Sequence, residues 1–377
     1  MRRERTTPRP DWPGRLESVG FHFHSLDGAY WDESACYQFS CEEIDMLEAV
    51  TGELHQMSLG AVESIVQRRA FDQFALTDWM AQLVCESWHS KAPSLYGRFD
   101  LCYDGANPPK LLEYNADTPT SLIEAAVAQW DWLQMVHPER DQFNSIHEKL
   151  IDRWTAIRPT LLGVEPVVYF TCVKDNPEDL GNLEYLRDTA LQAGLDARHI
   201  YIEDIGWSET AGCFVDLGNE RVQTLFKLYP WEWMMQDAFG ANVPRAKLTV
   251  IEPAWKLLLS CKAILAVLWE LYPDHPNLLP AYFDSAKLGE RYVRKPLYSR
   301  EGANVEIHGR RGVYAQPGTY GAEGHVYQAY APLPQFDGHY PVIGSWIVGD
   351  MAAGMGIRED TTPVTRNTSR FVPHYFD

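Results

Sequence analysis

Arg98, Asp100, Glu113 and Asn115 are the side chains of this sequence best suited, by type and spacing, to act on charged substrates. Side chains alternate across a strand, so in Gly97-Arg98-Phe99-Asp100 the arginine and the aspartate share one face while Phe99 and Leu101 point the other way. Glu113 and Asn115 likewise share a face of Leu112-Glu113-Tyr114-Asn115. The segment between them, Tyr103-Asp104-Gly105-Ala106-Asn107-Pro108-Pro109-Lys110, is rich in turn formers and predicts an antiparallel hairpin. One cation, two carboxylates and an amide then converge on one patch of sheet. Hard oxygen donors of this kind suit Mg²⁺, which takes few protein ligands and fills its octahedron with water and phosphate oxygens. The patch reads as a nucleotide-metal platform. Spacing alone fits a solvated hairpin face with ordinary charges equally well, because antiparallel sheets commonly turn one polar side to water.

The elements that must hold this patch are mixed α and β. Ser40 followed by Glu43 is a capping-box pattern, and Ile44, Leu47, Val50, Leu54, Met57, Ala61 and Ile65 then recur at helical spacing, which predicts a long amphipathic helix. A second such pattern, Ser121 with Glu124, follows the loop Asp117-Thr118-Pro119-Thr120 and predicts a helix N-terminus there, an end that presents free amides to anions. Residues 165–170 read as a buried strand and 183–193 as the helix after it, a βα unit. In the last third, strand-like runs at 291–295, 325–330 and 342–348 surround a loop with Gly302, Gly309, Gly312, Gly318, Gly321 and Gly324. Such a stretch can close over phosphates or simply be a flexible surface loop. Neither a P-loop lysine nor a GxGxxG turn accompanies it.

Composition sets outer limits. The chain has 377 residues, 45% of them hydrophobic and 23% charged, enough for two or three packed layers or domains. A formal charge of −19 disfavours nucleic acid as a partner, since phosphate backbones call for a basic surface. The basic start Met1-Arg2-Arg3-Glu4-Arg5 has no apolar core behind it, as a signal peptide would, and no apolar run approaches a membrane span. The seven cysteines are scattered and never form a CxxC pair, which predicts free thiols in a reducing cytoplasm and argues against zinc. Phe21-His22-Phe23-His24 places two histidines on one face if it is a strand, as metal ligands or as half-buried structural groups.

Several runs, taken in order, carry a resemblance: Ser94-Leu95-Tyr96-Gly97-Arg98-Phe99-Asp100, Leu112 through Ser121, Cys261-Lys262-Ala263-Ile264-Leu265, Val293-Arg294-Lys295-Pro296 and Gly356-Ile357-Arg358-Glu359-Asp360. Together, from about Gly20 to the C-terminus, they resemble the glutathionylspermidine synthase family. The resemblance implies an α+β, ATP-grasp-like two-lobed fold with an N-terminal helical and pre-ATP-grasp region. On that pattern 1–90 is a mostly helical region, 91–250 a pre-ATP-grasp or substrate domain with the metal-binding hairpin, and 251–377 the nucleotide-binding lobe.

By the same resemblance Asp100, Glu113 and Asn115 are Mg²⁺ ligands. Arg98 is the catalytic arginine, against both the nucleotide phosphate and the acyl acceptor. ATP is further implied to be held by Phe99, Asp100, Lys262, Lys295, Glu301, Gly302, the Gln328, Ala329, Tyr330 and Ala331 segment, and Arg358. The acid substrate falls to Thr118, Thr120 and Arg300. Two positions depart from the family's synthetases: Thr118 and Thr120 stand where serines hold glutathione, and Asn367 where a lysine lies near the nucleotide. Acidic residues Glu178, Asp179 and Glu184 fall near the region implied for a polyamine. The chain starts directly with the synthetase-like part, so product hydrolysis by an amidase half is not expected.

The function implied is a cytoplasmic ATP- and Mg²⁺-dependent ligase joining a small-molecule carboxylate, a glutathione-like peptide or amino acid, to an amine, with a polyamine as one candidate, through an acyl phosphate. It needs neither nucleic acid nor membrane, and the oligomeric state is open. A catalytically silent nucleotide-binding scaffold is the other reading, which loss of Arg98, Asp100 or Glu113 would favour. A metal-dependent hydrolase would not need the lysine pair Lys262 and Lys295.

Overall fold

The computed structural model describes residues 1–25, 28–163, 165–310 and 312–377. The expected hairpin forms: the strands Tyr96–Cys102 and Lys110–Asn115 pair antiparallel, with Arg98 opposite Asn115 and Asp100 opposite Glu113. A register shift after Asp100 lets Leu101 pair with Leu111. The hairpin is one edge of a five-stranded antiparallel sheet completed by Tyr340–Val348, Met351–Asp360 and Arg370–Val372. Tyr96–Cys102 pairs with Tyr340–Val348, which sets Asp100 beside Gly344 and Arg98 beside Trp346. This sheet therefore unites strands from both sides of residue 250.

The apolar face of the sheet is covered by the helix Cys41–Arg68. Its capping box is realised, with Glu43 N donating to Ser40 Oγ at 3.3 Å and Ser40 N to Glu43 Oε2 at 3.0 Å. The expected stripe from Ile44 to Ile65 is buried. Where helix meets sheet, the Thr51 and Ser345 hydroxyls share a 2.7 Å hydrogen bond. Phe99 and Tyr114 stack at 3.8 Å on the same apolar side. Burying two rings across paired strands stabilises the hairpin and fixes which face its polar residues occupy.

A parallel sheet of four strands, Thr249–Ile251, Thr224–Lys227, Val167–Thr171 and Asp196–His199, forms a second layer. Its βα unit is the expected one, but the helix begins earlier, at Pro177, behind an Asn176 cap that accepts from Asp179 N. Proline in the first turn after an asparagine cap is a start signal that hydrophobic spacing alone overlooks. The third layer is an antiparallel sheet of Ala281–Tyr282, His325–Ala329, Tyr292–Pro296, Glu306–Gly309 and Gly312–Ala315. The glycine-rich stretch is thus not one loop, since two of its segments pair as a hairpin. A further small sheet joins Arg2–Arg5 and Ala35–Phe39 to His374–Phe376.

Two local expectations fail. A helical run does begin at Leu122 as expected, but the Ser121 and Glu124 capping box does not form: Ser121 has a φ of 76°, and Glu124 accepts the Tyr30 hydroxyl at 2.7 Å inside a π-helical turn, Glu124–Ala128. The amide of Leu122 finds Asn182 Oδ1 instead, at 2.8 Å. Phe21 to His24 is a turn rather than a strand, so its histidines part: His22 is exposed, and His24 is buried against Trp12 and Phe21. No helix among the described residues is long and apolar enough to cross a membrane.

Candidate functional site

One cavity of about 340 Å³ opens where the three layers meet. Its floor is the polar face of the hairpin. Arg98 and Asp100 are buried at 6% and 4% exposure, so the face is a cavity wall and not a solvated surface. Arg98 Nε donates to Asp100 Oδ1 at 2.7 Å and Nη1 to the Thr120 carbonyl at 2.8 Å, while Arg358 Nη2 reaches Asp100 Oδ2 at 3.1 Å. Burial works against the charge on Arg98, but Asp100 beside it outweighs this and raises its pKa.

Glu113 is flanked by Asn115 Nδ2 at 3.1 Å and Lys262 Nζ at 3.2 Å. Burial favours its neutral form, yet Lys262 and Lys295 prevail and hold the carboxyl well below the usual carboxylate range. A carboxylate kept charged, an aspartate and an amide on one face form a hard oxygen set that fits Mg²⁺. Among the described residues no cluster of three or more His, Cys, Asp or Glu offers a softer site.

The third layer supplies cations and backbone. Lys295 Nζ donates to the Leu112 carbonyl at 2.8 Å and to Gln328 Oε1 at 2.7 Å, tying the third-layer sheet to the hairpin. Burial lowers its pKa to about 8, against the opposing pull of Glu113. Lys262 sits behind Glu113, donates to the Ser299 carbonyl at 2.6 Å and lines a small alcove beside the main cavity. Gln328, Ala329, Tyr330 and Ala331 line one wall, and Glu301 and Gly302 another. Gly302 has a φ of 70°, and a Cβ there would meet the Thr365 carbonyl oxygen at 2.6 Å, so only glycine fits.

Thr118, Thr120, Arg300 and Arg358 line the same cavity, as does Asn367. Phe99 does not: its side chain is on the opposite, apolar face, fully buried against Tyr114, so it gives the cavity no side-chain contact. The alternation of the strand itself carries this outcome. Glu178 and Asp179, in the first turn of Pro177–Gln192, form part of the wall, and burial with the neighbouring Glu178 charge raises Asp179 to about 7. Glu184 is not part of that wall and pairs with Arg187 on its own helix.

Sequence reasoning passed over a buried pair beneath the threonine loop. Lys227 Nζ donates to Asp117, whose other oxygen accepts from Trp231 N at 2.8 Å. Lys227 has no exposed surface. A lysine inside the apolar run Thr224-Leu225-Phe226-Lys227-Leu228 was the available signal, because a lone charge in a buried strand demands a partner.

The model of the family described as "Glutathionylspermidine synthase preATP-grasp" matches residues 3–377. A Haemophilus influenzae protein with the provisional name acid–amine ligase is 46% identical, the match covering 98% of this chain and 97% of that protein. The bifunctional glutathionylspermidine synthetase/amidase of Escherichia coli is 26% identical over 88% of this chain, which spans 57% of its length. A solved structure of a glutathione synthetase-like effector from Globodera pallida superposes with a TM-score of 0.60 at 9% identity, covering 99% of this chain and all of that one. At such low identity that likeness concerns the fold, which is α+β of the ATP-grasp type. On the match that runs almost from end to end, the chain belongs to the glutathionylspermidine synthase preATP-grasp family.

Proposed function

We propose that the protein is an ATP- and Mg²⁺-dependent ligase that joins a small carboxylic acid, an amino acid or short peptide, to an amine. The observation that carries this reading is the meeting of Asp100, Glu113 and Asn115 with Arg98, Lys295 and Arg358 around one cavity. Its volume of about 340 Å³ lies in the range of small-ligand pockets. In this reading Asp100, Glu113 and Asn115 hold Mg²⁺, which would neutralise charge on the phosphate oxygens. Lys295, Lys262, Glu301, Gly302, the 328–331 segment and Arg358 bind the nucleotide.

The terminal phosphoryl group passes to the acid carboxylate, leaving ADP. The amine nitrogen then attacks the activated carbonyl carbon, forms the amide and expels phosphate. Arg98 is already fixed by Asp100 and the Thr120 carbonyl, so it stabilises charge on the transferring group without first reorganising. Thr118, Thr120 and Arg300 face the acid. Glu178 and Asp179 suit a cationic amine, polyamines included, and Asp179 near neutrality can accept the proton that the attacking nitrogen must lose. A silent scaffold has no need of this complete set in one cavity.

Release of ADP and phosphate, measured against a matrix of amino acids, short peptides, diamines and polyamines, tests the reading. Turnover that requires both an acid and an amine is expected. AMP as product, or turnover indifferent to the amine, would overturn it.

A further inference from the structure

Arg300 follows the Tyr292–Pro296 strand of the third-layer sheet, yet its partners come from two other parts of the chain. Nη1 donates to Thr118 Oγ1 and Nη2 to Glu232 Oε1, both at 2.8 Å, and the guanidinium carbon lies 5.8 Å from the centre of the Trp233 ring. Thr118 belongs to the loop after the metal-binding hairpin. Glu232 and Trp233 belong to Trp231–Met234, which follows the parallel strand Thr224–Lys227. Three segments remote in sequence are thus joined at one guanidinium.

Glu232 is only 9% exposed, so its ion pair with Arg300 is not a surface contact: a buried carboxylate without a partner is strongly unfavourable. Thr118 and Arg300 line the main cavity and also the alcove of about 20 Å³ beside it, which Glu232 lines as well. Arg300 Nε and Glu232 Oε2 are both buried with no hydrogen-bond partner among the described residues. Arginine has a long stem with much rotamer freedom, and a site that depends on orientation gains from clamping it before the ligand arrives.

We propose that Glu232, backed by Trp233, is a positioning residue for the acid substrate: it holds Arg300 against Thr118 at the cavity wall, where the guanidinium faces a carboxylate of that acid. The identity of the ligand rests on the ligase reading, whereas the clamp is a property of the protein alone. Phenylglyoxal labelling of arginines, followed residue by residue by peptide mass spectrometry, tests the clamp in the absence of any substrate. In Glu232→Ala, Arg300 is expected to be labelled several times faster than in the wild type. Arg98 and Arg358, both held by Asp100, should keep their wild-type rates. Glu232→Gln retains an acceptor oxygen and should fall between. Unchanged labelling of Arg300, or a rise at all three arginines together, would overturn the proposal.

Because labelling needs no turnover, this outcome is separate from failure of the ligase reading, which the ADP assay decides. In that assay Glu232→Ala is expected to raise KM for the acid by about tenfold with KM for ATP almost unchanged, since one partner of a buried charged pair has been removed. An equal rise in both would point to general damage and count against the clamp.

Discussion

Asp179 is a carboxyl that titrates close to neutrality, with its burial as the main cause and the charge of Glu178 as the next. Below about pH 7 it holds a proton and cannot accept another; above it, it is free to take one from an attacking amine. In the proposed reaction kcat/KM for the amine is therefore expected to rise with pH through a limb near 7. Asp179→Asn should abolish that limb and lower kcat on the order of 100-fold, the lower end of what a placed general base contributes. The slope from the amine's own titration would remain. A pH profile of the variant parallel to that of the wild type would show that Asp179 only binds. Arg98 presents the complementary case: its charge is held by Asp100, so its contribution should not vary across the same range.

Two identical sequence signals both stand at helix starts, but only one forms its cap, and the difference is physical. Ser40 and Glu43 cap a helix because the distant groups that reach Glu43, the Met1 amine and the Tyr103 hydroxyl, both take Oε1 and leave Oε2 to the Ser40 amide. Glu124 is claimed by Tyr30, from a segment no local pattern connects to it, and fully buried. The hairpin was legible for the converse reason: alternation and turn residues are local, and they also fix Phe99 on the apolar side. Strand pairing across the chain, such as Arg2–Arg5 with Ala35–Phe39 and His374–Phe376, leaves no local trace, nor does the Glu232 and Arg300 contact. Burial raises Glu124 from an ordinary value of 4.5 to about 8. Between these pH values the unfolded chain is charged at this position while the folded one keeps its proton, so its contribution to stability declines as pH rises. Glu124→Gln, which does not titrate, is expected to gain on the wild type by on the order of a few kcal/mol between pH 5 and pH 8, read from chemical denaturation. A constant difference between the two proteins would mean that Glu124 is charged when folded.

At the scale of the molecule, the cavity is a joint. Its walls come from the hairpin sheet, the parallel layer with Glu178 and Asp179, and the third-layer sheet with Lys295 and Gln328. Direct ties across it are few and polar, among them Lys295 to the Leu112 carbonyl and Arg300 to Thr118 and Glu232. A ligand that bridges these walls adds contacts found only in the folded arrangement, and so stabilises the whole chain by mass action. At a hundredfold excess over Kd the gain is about 2.7 kcal/mol, which for a chain of this size raises Tm by on the order of a few degrees. ATP with Mg²⁺ is expected to produce this shift, and ATP with a chelator a much smaller one, because phosphates brought next to Asp100 and Glu113 without the metal meet two carboxylates. Asp100→Asn should lose most of the Mg²⁺-dependent part while also loosening Arg98 and Arg358, which it pairs with. The decisive reading is the difference between the two ATP conditions within each protein, since that subtracts any change in basal Tm. If the difference is the same in wild type and variant, Asp100 serves only to hold its arginines, and the metal belongs elsewhere in the cavity.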